Sequence, residues 1–180
     1  MTKALIVIDI QNDYFDNGKF PLWNTDNVLE NIENAICKAN DNKIPVILIQ
    51  HIADSKSGAL FFAEGSSGAE IHPRILKISS QSQIVRKSFA DAFFNTKLEE
   101  TLSKLKVTEL LICGMMTQNC VTHTAISKSA EKYKVSVLKD CCTTVNEIIH
   151  KMALSALSTR ITLSTSTDNI FKISNPSLVK

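Results

Sequence analysis

Several things are scarce in this 180-residue chain. There are only five glycines, and no Gly-x-Gly-x-x-Gly run exists to cradle a nucleotide phosphate. The Gly65–Gly68 stretch, GSSG, has a similar composition, but no strand feeds directly into it. Five cysteines, an odd number, fall in no CxxC or zinc-like spacing, which points to a reduced, cytoplasmic protein. Net charge is also small: +2 gives no reason to expect a nucleic-acid or membrane partner. Long hydrophobic runs are missing, and the apolar N-terminal segment is cut short by Asp9, so it makes a poor signal peptide.

What remains is the pattern of one compact domain, residues 1–180, with strands and helices in alternation. Ala4–Ile10 is a near-continuous apolar strand interrupted by a carboxylate, Asp9. A helix is expected from about Thr25 to Asn42, with Val28, Leu29, Ile32, Ala35, Ile36 and Ala39 on one side. Pro45–Gln50 is a second strand, ending on His51. Ile52–Ser82 reads as a long loop, and loops of that length in a compact domain are usually functional. Further strands are expected at Gln83–Lys87, Glu109–Cys113, Lys134–Lys139 and near Ile161–Ser164, with a last extended piece at Asn169–Ile173. Helices are expected around Lys97–Lys104, from Thr117 to about Lys132, and from about Val145 to Thr159. Repeated strand–helix–strand units imply a parallel sheet with helices on both faces, and sites in such sheets form beyond the carboxyl ends of the strands.

The stretch Leu110–Ala125, LLICGMMTQNCVTHTA, organises the rest. A buried strand runs into a tight turn, and with Thr117 as N-cap Cys120 falls at the third helical position, where free N–H groups favour a thiolate. A thiol pKa lowered by roughly two units would make the thiolate the major form, which takes about 2.7 kcal/mol of favourable field. Lys87 can supply the nearby ammonium. Alternation along QIVRK puts Arg86 and Lys87 on opposite faces, so only one readily enters a given pocket. Asp9 can take the thiol proton, pass it to a leaving amine and then activate water.

These residues sit in motifs that resemble the isochorismatase-like cysteine hydrolases, a superfamily that includes nicotinamidases and carbamoylsarcosine amidases. The resemblance runs through VIDIQNDYF at Val7–Phe15, Gln50-His51, GAEIHP at Gly68–Pro73, VRKSFADAFFNT at Val85–Thr96 and ICGMMTQNCVTHTA at Ile112–Ala125. It implies a Rossmann-like three-layer sandwich with a six-stranded, mostly parallel sheet, and a catalytic set of Asp9, Lys87 and Cys120. It also implies a cis peptide at Met115–Met116 and an oxyanion hole made by the backbone N–H groups of Met116 and Cys120. The metal-dependent nicotinamidases carry an Asp-x-His pair after the second strand. Here only His51 and His72 stand nearby, so neither a metal nor another cofactor is expected.

Aromatic residues crowd the loops, and Phe15, Trp23 and Phe93, with His51, are expected to line the substrate pocket. Asp13 is expected to tie down its own loop, and Asp140 to hold loop amides. The reaction expected is hydrolysis of a small amide-like substrate through a thioacyl-enzyme. Two alternatives stand beside it: vinyl ether hydrolysis of the isochorismatase type, driven by protonation from Asp9, and a non-catalytic or redox-sensing thiol. Partners reduce to a small-molecule substrate and, by resemblance, further copies of the chain in a homo-oligomer.

Overall fold

A computed structural model describes residues 2–54, 58, 60–168 and 171. Strand β1 (Lys3–Ile8) is followed by α1 (Thr25–Asp41), β2 (Val46–His51), α2 (Pro73–Ile78), β3 (Gln83–Lys87) and α3 (Leu98–Lys104). Next come β4 (Glu109–Met115), a π turn at Thr117–Val121 that runs into α4 (Thr122–Ala125), then β5 (Lys134–Thr143), α5 (Glu147–Leu157) and β6 (Thr162–Ser164). The six strands form one sheet in the order β3-β2-β1-β4-β5-β6, and every neighbouring pair is parallel. Parallel strands need crossover connections, which place helices on both faces of the sheet. The apolar runs ALIVI of β1 and LLIC of β4 are buried along their length, as a central parallel strand requires.

The strand order reverses between β1 and β4, the switch point where the chains leaving two adjacent strands diverge and open a crevice. Asp9 follows β1 there and the π turn follows β4. At this point β4 carries Gly114, whose φ of +127° and whose approach to the Ile8 backbone leave no room for a side chain; a Cβ would stand 2.1 Å from the Ile8 carbonyl oxygen. Beside it the β4–β5 ladder changes register between Ile112 and Gly114, an irregularity of the kind that re-aims a strand end.

Three expectations need correction, and a fourth cannot be compared. The long Ile52–Ser82 loop contains α2, whose start is marked by His72 as N-cap and Pro73 in the first turn; six residues are too few to show periodicity. The helix expected from Thr117 to about Lys132 ends at Ala125, and only a 3-10 turn at Lys128–Ala130 follows. Strand β5 runs on to Thr143, so Asp140 lies within it, where its carboxylate accepts the amide (2.9 Å) and hydroxyl (2.6 Å) of Ser166. The extended piece expected at Asn169–Ile173 lies outside the described residues, apart from Phe171, which is buried.

Candidate active site

The turn out of β1 is unusual at Asp9, whose φ of +54° is a left-handed conformation uncommon for a residue with a side chain. Its side chain is fully buried. Two strands away, the alternation of β3 turns Val85 and Lys87 inward and leaves Arg86 exposed. Lys87 thereby reaches back across the sheet: its Nζ lies 2.8 Å from Asp9 Oδ2 and donates to Cys120 Sγ at 3.2 Å. Three residues far apart in sequence meet at the switch point, each 3% exposed or less. The Asp9 contact is an ion pair without the angular geometry of a hydrogen bond, and neither Asp9 oxygen has a hydrogen-bond partner among the described residues. Among the described residues the Asp9 side chain is thus held by the ion pair alone, an unusual arrangement for a fully buried carboxylate.

Cys120 is carried differently from expectation. The helical segment opens at Thr117 with Met116 as its N-cap, so Cys120 is its fourth residue and not its third. The segment starts as a π turn, with the Val121 amide reaching the Met116 carbonyl at 3.3 Å. Thr117 caps nothing; its hydroxyl pairs with His150 Nδ1 at 2.9 Å. The peptide bond between Met115 and Met116 is cis.

Burial bears on the expected thiolate and opposes it. Burial, reinforced by the Asp9 carboxylate, pushes the Cys120 thiol up to about 12, although the Lys87 ammonium pulls the other way. Ionising such a thiol at pH 7 before any bond forms would cost on the order of 7 kcal/mol. Burial works against the charge on Lys87 as well, but Asp9 and Cys120 outweigh it and the ammonium is held above its ordinary range. Burial thus favours the protonated thiol, while the charge on Lys87 is favoured by its neighbours.

His51, the last residue of β2, completes the cluster with Nδ1 at 2.8 Å from Lys87 Nζ. Burial first and Lys87 second hold its imidazole below the ordinary range, with Asp9 opposing. Asp9, His51 and Cys120 form the one group of three metal-type donors among the described residues, their atoms within 4.8 Å of one another. They do not fit a resident metal, because the Lys87 ammonium already stands in bonding contact with all three and a metal ion would have to displace it. His72 turns elsewhere: its Nδ1 accepts the Arg74 amide at 3.3 Å, and its ring packs on Phe15.

A cavity of about 710 Å³ opens above Lys87 and His51, lined further by Phe61, Glu64, Arg86, Ser88, Phe89 and Asn95, among others. That volume suits a small molecule. Of the four pocket residues expected from sequence, His51 lines this cavity and the other three lie outside it. Phe15 is buried against His72, its ring centroid 4.4 Å from the imidazole's. Trp23 is tied by its backbone to Thr143 and Thr144 and leans toward His150. Phe93 stacks on Tyr133 at 6.2 Å. Phe61 and Phe89 take the wall positions instead. Asp13 does tie its loop, accepting the Lys19 amide at 3.1 Å and the Phe62 amide at 2.7 Å.

One residue that the sequence reading passed over is Gln11. Its fully buried amide accepts from the His51 N–H at 2.7 Å and donates to the carbonyls of His51 (2.8 Å) and Ala69 (2.7 Å). The available signal was its place, two residues beyond Asp9 on a loop leaving a buried strand.

Comparison with known proteins agrees with this architecture. The model of the isochorismatase domain matches residues 3–169. The chain belongs to the isochorismatase family. Among its relatives, the uncharacterized family protein YddQ of Bacillus subtilis is 38% identical over 144 residues, covering 80% of this chain and 79% of that one. Nicotinamidase 3 of Arabidopsis thaliana is 30% identical over 165 residues, covering 86% and 80%. The crystal structure of nicotinamidase PncA from Bacillus subtilis superposes with a TM-score of 0.83 at 23% identity, over 91% of this chain and 99% of that one, a likeness of fold. This is an isochorismatase-family hydrolase, and among the described residues no helix is long and apolar enough to cross a membrane.

Proposed function

We propose that this family member is a metal-independent cysteine hydrolase, one domain over residues 1–180, that cleaves a small amide-like C–N bond through a thioacyl-enzyme. The observation that carries the reading is the buried Asp9–Lys87–Cys120 contact, 2.8 and 3.2 Å about a single ammonium. The nicotinamidase relative supports an amide as the bond attacked.

Since burial favours the protonated thiol, attack and deprotonation go together. Cys120 Sγ bonds to the carbonyl carbon while its proton passes to Asp9, and the carbonyl π electrons move onto oxygen. The backbone N–H groups of Met116 and Cys120 receive that oxyanion. Lys87 stabilises negative charge as it develops on sulfur and returns there when the thioester is cleaved. Asp9 then gives its proton to the amine nitrogen, the C–N bond breaks and a thioester remains. In the second half Asp9 takes a proton from water as it attacks the thioester; the C–S bond breaks and the proton returns to sulfur. The closeness of Asp9 and Lys87 couples their titrations, so any pH profile belongs to the group.

A second reading draws on one specific observation, the burial of Cys120, which disfavours its thiolate. Vinyl ether hydrolysis needs only protonation by an acid such as Asp9, and Cys120 would then be dispensable. Hydrolysis of an amide panel and of isochorismate by the wild-type protein and by Cys120→Ala separates the two. The thioacyl reading expects amide turnover that vanishes in the variant; pyruvate released from isochorismate by both proteins selects the other.

A cytoplasmic location is supported by the free thiols of Cys37, Cys113, Cys120, Cys141 and Cys142. Homo-oligomerisation is supported by the exposure of Ile148 (72%) and Met152 (68%), one turn apart on α5. Sedimentation of the wild type and Ile148→Glu tests it: a shift toward monomer supports this face, and unchanged mass counts against it.

A further inference from the structure

A lysine ammonium carries three N–H donors. Around Lys87 Nζ stand two hydrogen-bond partners, His51 Nδ1 at 2.8 Å and Cys120 Sγ at 3.2 Å, and an ion-pair partner, Asp9 Oδ2 at 2.8 Å. Asp9 and Cys120 belong to the hydrolysis proposed above, whereas His51 has no step in it. Without His51 the buried ammonium would keep one hydrogen bond, to sulfur, beside the Asp9 ion pair, and its direction would be less sharply set. His51 is itself fixed through its backbone. The Gln11 amide closes on both the N–H (2.7 Å) and the carbonyl (2.8 Å) of His51, and its second N–H reaches Ala69 O at 2.7 Å. Every polar atom of that buried side chain is engaged, tying the end of β2 to the loop that carries Asp9.

We propose that Gln11 and His51 form a positioning relay: Gln11 sets the end of β2, and a neutral His51 ring, accepting at Nδ1, orients the Lys87 ammonium so that one N–H points at the Cys120 sulfur. The relay rests on the hydrolase reading and gives it a pH dependence. Since Nδ1 accepts, the ring proton resides on Nε2. A second ring proton would set donor against donor and cation against cation at 2.8 Å. The charged or titratable groups around His51 are Lys87 on β3, Asp9 beyond β1 and Cys120 in the π turn, with Asp54, Glu64 and Arg86 sharing the cavity. Burial and Lys87 favour the neutral ring, so the acceptor is present at neutral pH and lost in acid.

Alkylation of Cys120 by iodoacetamide tests this without knowledge of the substrate. It is read on the Cys120 peptide by mass spectrometry between about pH 5 and 8, with circular dichroism to verify folding of each variant. Alkylation needs the thiolate, so with a thiol raised to about 12 every variant slows about tenfold per pH unit over this range. Wild type falls more steeply than that in acid, below the ordinary histidine range, where His51 takes up its proton. His51→Leu reduces the rate by about tenfold at neutral pH, the order of one hydrogen bond to a charged group, and by less in acid, where wild type loses the same acceptor. His51→Asn supplies an amide oxygen in place of Nδ1; it restores the rate to within about threefold, and only the slope of the thiol remains because the new acceptor takes up no proton. Gln11→Leu behaves as His51→Leu. The relay is overturned if His51→Leu reacts as wild type does, if His51→Asn is as slow as His51→Leu, or if His51→Asn keeps the extra fall in acid. Lys87→Met separates the two levels. If its Cys120 reacts like wild type, the hydrolase reading falls; if it is slowed and His51→Leu is not, only the relay falls.

Discussion

The floor of the site is the cluster of Asp9, Lys87 and Cys120, each 3% exposed or less and joined through Lys87, which alone of the three lines the cavity; at the cavity wall Phe89 is 51% exposed and Glu64 and Arg86 face solvent. The floor is made from the ends of β1 and β3 and the turn after β4, elements locked by parallel ladders. Most of the wall belongs to connecting segments, between β2 and β3 and just beyond β3. A bond-breaking centre needs distances held to a fraction of an ångström, and strand ends supply them. Recognition of a particular substrate needs shape, which loops can change without disturbing the sheet. The same family chemistry can thus serve different substrates.

The contrast can be tested most strongly at the sulfur. Cys120→Ala is expected to lower turnover of any amide substrate by at least about a thousandfold while leaving the melting temperature near wild type. Asp9→Asn should cost about a hundredfold or more in activity. Unlike Cys120→Ala it should also lower stability, by about 3 kcal/mol, because a buried Lys87 charge loses its counter-ion; a denaturant titration reads this directly. Two glycines compare floor and wall by backbone alone. Gly114→Ala forces a Cβ to 2.1 Å from the Ile8 oxygen and should destabilise by roughly 3 kcal/mol or more, whereas Gly65→Ala meets nothing within 4 Å and carries only the cost of positive φ, about 1 kcal/mol. Phe89→Ala should raise KM severalfold and alter substrate preference with little change in kcat, the signature of a wall residue. Smallest is a pH effect on stability. His51, His72 and His150 all have imidazoles held below the ordinary range, chiefly by burial. Below about pH 6.5 the unfolded chain binds protons that the folded one refuses, so stability should fall as pH drops from 6.5 toward 5 and stay level above it. A melting-temperature series checks the sign.

Sequence patterning reached the floor more fully than the wall, and the reason is physical. Alternation in β3 puts Arg86 and Lys87 on opposite faces, and the motif resemblance, not the five letters alone, singled out Lys87 as the one that turns inward. The apolar runs of β1, β2 and β4 announced a parallel sheet, and the sheet announced where its site must lie. What patterning could not reach depends on burial and on contacts across the chain. For Cys120 the helix-end field can be weighed from sequence, but the burial that opposes a thiolate cannot. Phe15, Trp23 and Phe93 are aromatic residues near the right motifs, but their rings are claimed by His72, the His150 region and Tyr133. Gln11 escaped notice because its function lies wholly in hydrogen bonds to residues 40 and 58 positions away. Helix α2 was missed for want of length.

The central claim is that carbon from the substrate becomes bonded to the Cys120 sulfur during turnover. Intact-protein mass spectrometry, on samples acid-quenched within the first turnovers with a panel of small amides, ureas and lactams, tests it most directly. The account predicts a mass increase equal to the acyl portion of a turned-over substrate, located on the Cys120 peptide and missing from Cys120→Ala. Sustained hydrolysis by Cys120→Ala at a rate near wild type, with no adduct on either protein, would contradict it.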